Sequence, residues 1–408
     1  MLNLQLFAET QVTTQESLSA EMKTFYDMTL LDEAQANLIH DQFGQKKPIP
    51  KNGGKTIEFR RFASLKKALK PLTEGVTPEG KGLSVSTVTA TVEQYGDFIQ
   101  QSDVLEMTSI DNTIVEATKA LGRQAGATLD TVTRNVLHSG TSAMFASKWS
   151  GATEIPVTER EDLDNTSILK VDTVRQVVAA LKARNAPKIN GDYVAIIHPY
   201  VEYDLMSDKE WKDPHTYCDP SNLYEGEIGK ISGVRFVESS EAIVFGPENG
   251  LLVNHASGYT GAITSVAFNG KFEDEEEGVK ADELIGKAVR INGVTAKITD
   301  NDETSITFAS TNFGDIADGA KIEILPCEAG AVFSTIFLGA DAYGVTEVTG
   351  GGLETFVKQK GSGGTSDPLN QRSTVGWKAT KTAEILNNRY LIRVESVSPR
   401  YSAVAESN

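Results

Sequence analysis

The 408-residue sequence is poor in cysteine, in aromatic residues and in positive charge. Only Cys218 and Cys327 are present, a separation that matches no zinc site, so two reduced thiols are expected and redox or metal chemistry is not. No run of 18 apolar residues occurs, and "MLNLQLFAET" has neither the basic lead nor the apolar length of a secretory signal. A chain that is cytosolic at synthesis and has no membrane partner is therefore expected, and its start at Met1 leads us to expect no cleaved N-terminal scaffolding segment. Lys and Arg number 39 against 56 acids, a formal net charge of −17. Repulsion at that charge opposes broad binding to nucleic acid or anionic lipid and leaves only local patches for either.

Catalytic signatures are missing as well. "GGKT" at 53–56 ends like a phosphate-binding loop, but Ile49 stands where the leading glycine belongs, and an alternating strand follows instead of a helix. "GSGGTS" at 361–366 reads as a flexible loop. The histidines His40, His138, His198, His215 and His255 form no ligand pair at helical spacing and have no nucleophile beside them, so structural roles are expected. The acidic run "EDEEE" at 273–277 lacks the glycine and alternating ligands of a calcium loop and reads as solvated. No enzyme activity, cofactor or metal is expected.

What is present is a concentrated basic segment. "KKPIPKNGGKTIEFRRFASLKKALK", residues 46–70, carries nine Lys or Arg and one acid, Glu58, leaving −25 on the rest of the chain. "KTIEFRRF" alternates as a strand does, Pro71, Gly75, Pro78, Gly80 and Gly82 interrupt it, and "SVSTVTATV" returns as a second strand. The two read as a long hairpin, which in isolation is marginally stable and takes its order from a neighbour. Two aromatics, Phe59 and Phe62, offer little stacking for nucleic acid. The nearest anionic partner is another copy of this chain.

Elsewhere, residues 1–50 read as an extended arm with a helical stretch near "EAQANLIHDQF". Ordering twenty such residues costs roughly 20–40 kcal/mol, which requires about 800–1,600 Å² of apolar burial. Leu2, Leu4, Leu6, Phe7 and Val12 approach that only against another surface, so the arm is expected to gain order in an assembly. Ile110, Ile114, Ala117, Leu121, Ala125, Leu129, Val132 and Val136 recur at helical steps and predict a helix over 111–138, with Thr113 and Glu116 as a capping box and His138 and Gly140 at its exit. A second helix is expected after Asp172 as its cap, with Val174, Val177, Val178 and Leu181 on one stripe and Pro187 beyond its end. "YVAIIHP" predicts a buried strand and Pro199 the first turn of a helix. Short β-like pieces with Asn-Gly and Asp-Gly turns predict a small all-β domain over 257–328. "VNHAS" before it and "CEAGAVFSTIF" after it read as neighbouring strand segments of the surrounding domain. "WKATKTAEILNNRYLIRVES" reads as helix or bend followed by a strand.

"IHPYVEYDLMSDKEW", "LYEGEIGKISGVRFVES" and "DPLNQRSTVGWKATKTAEILNNRYLIRVES", in that order, resemble the major capsid proteins of tailed bacteriophages, in the subgroup with an Asp-Pro-Leu and Gly-Trp-Lys signature. The resemblance covers 1–256 and 329–400. It implies an α+β chain with the Hong Kong 97-type phage capsid fold. By that analogy 1–50 form the N-terminal arm and 51–95 the extended loop. Residues 96–167 and 351–408 form a peripheral domain with its spine helix, 168–256 and 329–350 an axial domain, and 257–328 an inserted β domain.

The function implied is a major capsid protein that self-assembles as hexamers and pentamers into an icosahedral shell around double-stranded DNA. The implied location is the virion capsid, assembled in the host cytoplasm. Scaffold, portal or decoration proteins are further implied partners. Subunit-interface residues are expected at Arg60, Arg61, Lys66, Lys67 and Lys70 of the loop and at Leu4, Leu6 and Phe7 of the arm. Some relatives cross-link this loop through Lys and Asn; no partner site is marked in this sequence and no cross-link is expected. The competing readings are an encapsulin-like compartment shell on the same fold and a phage decoration or adhesin protein.

Overall fold

The computed structural model describes residues 38–48, 55–62, 82–103, 113–151, 153–211, 229–272, 278–346, 353–358 and 371–408, with scattered positions between 28 and 34, between 65 and 80 and at 369. The chain divides into two compact units. Residues up to 42, 46–133 and 344–384 form one, and 43–45, 134–343 and 385–408 form the other.

In the first unit, the predicted hairpin is present. Thr56–Phe62 pairs antiparallel with Val85–Thr91 through seven consecutive partners, from Thr56 opposite Thr91 to Phe62 opposite Val85. The long helix runs Thr113–His138, about 39 Å at 1.5 Å per residue, with its residues up to Thr133 in this unit and its last turn in the second. Residues 111 and 112 lie outside the described residues. Among the described residues the helix begins at Thr113, which donates its hydroxyl to Gln101 Oε1, 3.1 Å away.

Beside the helix lies an antiparallel sheet with Arg372–Lys381 in the centre and Leu353–Lys358 and Glu93–Ser102 at its edges. The strand corrects the reading of "WKATK" as helix or bend. Alternation sends Ser373, Val375, Trp377, Ala379 and Lys381 inward, and a period of two has no helical stripe to offer. Val375, Trp377 and Ala379 pack with Leu121, Ala125 and Leu129 of the helix and with Leu30, Ala34 and Leu38, which close the core. A Cβ on Gly122 would lie 3.0 Å from the Leu30 carbonyl oxygen, so the helix has no side chain where the chain around Leu30 crosses it.

The second unit is organised on a seven-stranded sheet in the order Ala143–Phe145, Leu391–Ser396, Val332–Leu338, Tyr193–Ile197, Val234–Glu238, Lys230–Ile231, with Val244–Phe245 added on Val332–Leu338. Tyr193–Ile197 is buried at every residue, as a strand covered on both faces requires. The helix Val171–Ala183 buries Val174, Val177, Val178 and Leu181, as its stripe predicts. Its cap is Lys170, not Asp172, and the Val171 N–H is met instead by Asp208 Oδ2 at 3.1 Å. Leu391–Ser396 belongs to this sheet, and the last residues from 385 onward belong to this unit, whereas the sequence reading groups 351–408 with the peripheral domain.

The second unit also contains a six-stranded antiparallel sheet, ordered Glu248–Leu252, Lys321–Leu325, Ala288–Ile291, Val294–Asn301, Ser305–Asn312, Ala262–Ala267. It closes its own core of Val266, Phe268, Val289, Ile298, Ile306, Phe308, Phe313, Ile322 and Ile324. The Asn292-Gly293 hairpin has both residues at positive φ, 52° and 78°, the requirement of the turn its sequence predicts. The sheet begins nine residues before the expected start at 257, because Glu248 is the register partner of Ile324. "VNHAS" is likewise part of this sheet's surroundings: Val253 bridges to Phe268 and donates its amide to the Ala320 carbonyl.

Candidate assembly surfaces

The hairpin is anchored on one side and open on the other. Ile57, Phe59 and Ala90 are buried, with the Phe59 ring seated where Gly344 has no side chain and the Lys47 ammonium 5.2 Å above it. Lys47 also donates to the Glu58 carbonyl. Arg60 on the opposite face of its strand is exposed, as are Arg61, which follows Phe59 on the same face, and Lys67 beyond the strand. Lys66 and Lys70, and the arm residues Leu4, Leu6 and Phe7, lie outside the described residues. The sequence reading misses a second property of this segment. Leu69 and Leu72 are 83% and 77% exposed, and Leu65, Leu83 and Val85 are also largely bare. Five exposed aliphatics interleaved with cations make an amphipathic surface, and such patches mark contact sites. The signal was available in the leucines of a Pro- and Gly-rich segment that has no local core to bury them.

A second group is wholly interior to the first unit. The Asp41 carboxylate accepts from Thr133 Oγ1 at 2.5 Å and from the Lys381 ammonium, and all three side chains are buried. Next to it the buried His40 donates its backbone N–H to Asp130 Oδ1 at 2.7 Å, and its Nδ1 lies 2.6 Å from Asp130 Oδ2. Burial pulls the Lys381 ammonium below its ordinary range, against the pull of Asp41 and Asp130 in the other direction. These groups tie the end of the arm segment to the long helix and to the central strand of the sheet. They are positioned to fix structure.

In the second unit, His198 caps the helix Pro199–Ser207 by accepting the Tyr200 N–H on Nδ1 at 3.2 Å. Burial holds its imidazole down at about 4, so it is neutral at ordinary pH, the structural role expected of it. Tyr200 stacks on Tyr401 at 4.0 Å between centroids, and the Arg400 guanidinium sits 5.2 Å from the Tyr203 ring. Glu202, between these tyrosines, is pushed up to about 7 by burial, with Glu238 adding like-charge repulsion. His138 is held by the Arg134 carbonyl and Ser334 Oγ, and His255 stacks on Tyr259 at 4.4 Å. Cys327 is buried, and burial pushes its thiol up to about 11, an unreactive state. His215, Cys218 and the acidic run 273–277 lie outside the described residues. Among the described residues no three His, Cys, Asp or Glu side chains converge to hold a metal ion. Among them, too, no helix is long and apolar enough to cross a membrane.

No curated protein matches the sequence. Among solved structures, the capsid of the cyanophage P-SCSP1u superposes with a TM-score of 0.50 at 13% identity over 88% of each chain. The cyanophage Pam1 capsid gives 0.49 at 12% identity over 85% of this chain and 86% of that one. The capsid of Ralstonia phage GP4 gives 0.48 at 11% over 88% and 86%. The first of these likenesses shows the fold, an α+β capsid architecture. A family model described as "Phage capsid protein" matches residues 85–303, more than half of the chain. With that match, the amphipathic hairpin and the long helix have their context: the chain belongs to the phage capsid protein family and is a major capsid protein that builds a phage shell.

Proposed function

We propose that the protein assembles as hexamers and pentamers in an icosahedral virion shell enclosing double-stranded DNA without sequence specificity, formed in the host cytoplasm. The observation that carries this reading is the hairpin, whose exposed cations and bare leucines belong to a chain that is strongly acidic elsewhere. A neighbouring subunit supplies both an anionic and an apolar surface. Charge complementarity of this kind steers encounter and fixes register, while the leucines supply affinity. Arg60, Arg61, Lys66, Lys67 and Lys70 are the residues we assign to that contact, together with Leu4, Leu6 and Phe7 of the arm. Scaffold, portal and decoration proteins are the further partners such a shell would engage.

We assign residues 1–50 to the arm and 51–95 to the extended loop. The peripheral domain is then built from 96–133 and 344–384, and the axial domain from 134–247, 326–343 and 385–408. The inserted β domain covers 248–325. Negative-stain microscopy of the expressed chain, with nuclease treatment and extraction of the contents of particles made during infection, tests the reading. Closed particles with nuclease-protected DNA are expected. Closed particles filled with a protein cargo would instead support a compartment shell, and monomers or trimers alone would support a decoration or adhesin protein.

A further inference from the structure

The two faces of the three-stranded sheet in the first unit are unlike. Its inner face, with Val375, Trp377 and Ala379, is covered by the long helix. Its outer face carries Phe98 and Phe356, 64% and 45% exposed, on the two edge strands. Both are register partners of the same central residue, Gly376. With no side chain between them, the two rings wall a slot whose floor is the Gly376 backbone. The cavity has a volume of about 670 Å³. At about 4.8 Å between strands the two phenylalanine backbones stand roughly 10 Å apart, room for one apolar side chain between the rings. A Cβ on Gly376 would lie 2.8 Å from that of Phe98, so the slot depends on glycine.

Charge selects the occupant. Lys358, Arg372 and Lys378 line the same cavity. Glu354 stands opposite Lys378 in register, and the Asp97 carboxylate is turned to Gln124, 2.7 Å away. Among the described residues Lys358 and Lys378 outnumber Glu354, so the outer face is net cationic without counting Arg372, and the hairpin with its +8 is repelled from it. An extended segment with apolar side chains and acids but no cations is what fits. Residues 1–22 meet all three conditions: Leu2, Leu4, Leu6 and Phe7, then Glu9, Glu16 and Glu21, and no Lys or Arg. In an extended chain Leu2, Leu4 and Leu6 fall on one side, at about 6.8 Å intervals. The chain's own Leu30 is buried in the core on the opposite, helix-covered side of the sheet. A second copy reaches the open face without wrapping round the edge.

We propose that residues 2–9 of a neighbouring copy seat on this sheet, with an apolar side chain of that segment above Gly376 between Phe98 and Phe356 and Glu9 against the cationic rim. The proposal rests on the shell reading, since it names the surface that receives the arm. The test uses full-length chain carrying the photoreactive p-benzoylphenylalanine in place of Phe7, made as an equal mixture of nitrogen-15-labelled and unlabelled copies. After assembly and irradiation, digested peptides are mapped by mass spectrometry. Links from position 7 to Glu93–Ser102, Leu353–Lys358 or Arg372–Lys381 are expected, about half of them joining a labelled to an unlabelled peptide, as random mixing of copies dictates.

The double variant Phe98→Ser, Phe356→Ser changes only exposed rings and should lower the yield of those links at least about tenfold, the scale set by losing a buried aromatic anchor. Links to any other surface, links confined to one isotope, or an unchanged yield in the double variant would overturn the docking. Microscopy of the same samples separates the two readings. Closed particles with links elsewhere overturn the docking and leave the shell. An absence of particles overturns the shell, and mixed-isotope links in solution still decide the docking.

Discussion

Lys381 is an ammonium with no route to water, held in a protein core by one carboxylate. Its worth to stability lies less in the attraction than in the penalty incurred when the partner is removed. Asp41→Asn leaves a buried cation opposed only by more distant charge, and we expect a loss of about 3–5 kcal/mol, measured by urea unfolding of the unassembled subunit. Adding Lys381→Met to that variant removes the orphan charge and should recover most of the loss. An additive double variant, as costly as the two single changes summed, would show that the groups are not coupled. Glu202 sets a second expectation at this scale. Its folded carboxyl titrates near 7 against an ordinary 4.5, so the folded state holds a proton that the unfolded chain releases. Its contribution is present below about pH 4.5 and is lost as pH rises through about 7. Glu202→Gln should flatten the fall of the unfolding midpoint across that window and leave the slope at lower pH unchanged. Neither pair was legible in the sequence, because Asp41 and Lys381 are 340 positions apart and only the folded register brings them together.

Elements were legible where one period repeats for long enough. Eight apolar residues at helical steps located the long helix, an unbroken apolar run located Tyr193–Ile197, and the alternation of Ile57 and Phe59 located the hairpin. Legibility failed at ends and at edges. Asp172 looks like a cap because its type favours that position, but Asp208 from a distant segment already serves the Val171 amide. The slot of Phe98, Gly376 and Phe356 needs two pairings across three separated strands, and no single stretch of sequence contains it. For the hairpin the sequence showed the cations and hid the leucines, since an exposed and a buried leucine are written alike. The quadruple variant Arg60→Glu, Arg61→Glu, Lys66→Glu, Lys67→Glu alters exposed positions at Arg60, Arg61 and Lys67, so we expect a folded subunit with normal circular dichroism. Sedimentation should show no closed particles. A normal particle yield would mean that the basic charge does not direct assembly.

At the scale of the molecule, a chain of net charge −17 must bring many copies together against their own repulsion. Concentrating +8 in one segment converts part of that repulsion into attraction between subunits. Assembly initiated at low ionic strength should therefore slow as salt shortens the Debye length from about 10 Å at 0.1 M to about 3 Å at 1 M, as followed by light scattering. Acceleration by salt throughout that range would assign assembly to apolar contact alone. The six-stranded domain makes a separate expectation. Replacing residues 248–325 by a short flexible linker should leave closed particles, because the domain carries its own core. Its polar ties to the rest of the second unit include Lys297 to Asp162 at 2.8 Å and Arg290 to the Ala403 carbonyl at 2.9 Å. A soluble, folded deletion variant that never assembles would make the domain a shell contact.

Where that domain leaves and rejoins the second unit its first and last strands pair with Glu248 opposite Ile324, and the strands behind them pair with Phe245 opposite Val332 and Val244 opposite Phe333. The two ends therefore stand about 5 Å apart, the spacing of neighbours across a sheet. A gap that small can be bridged by a tight turn or by any compact module whose own termini meet. To the host sheet, the presence of 78 residues or of a tight turn is nearly the same event. Such a socket lets one lineage gain, lose or exchange an accessory module in a single genetic step while the hydrogen-bonded frame beneath it stays unchanged.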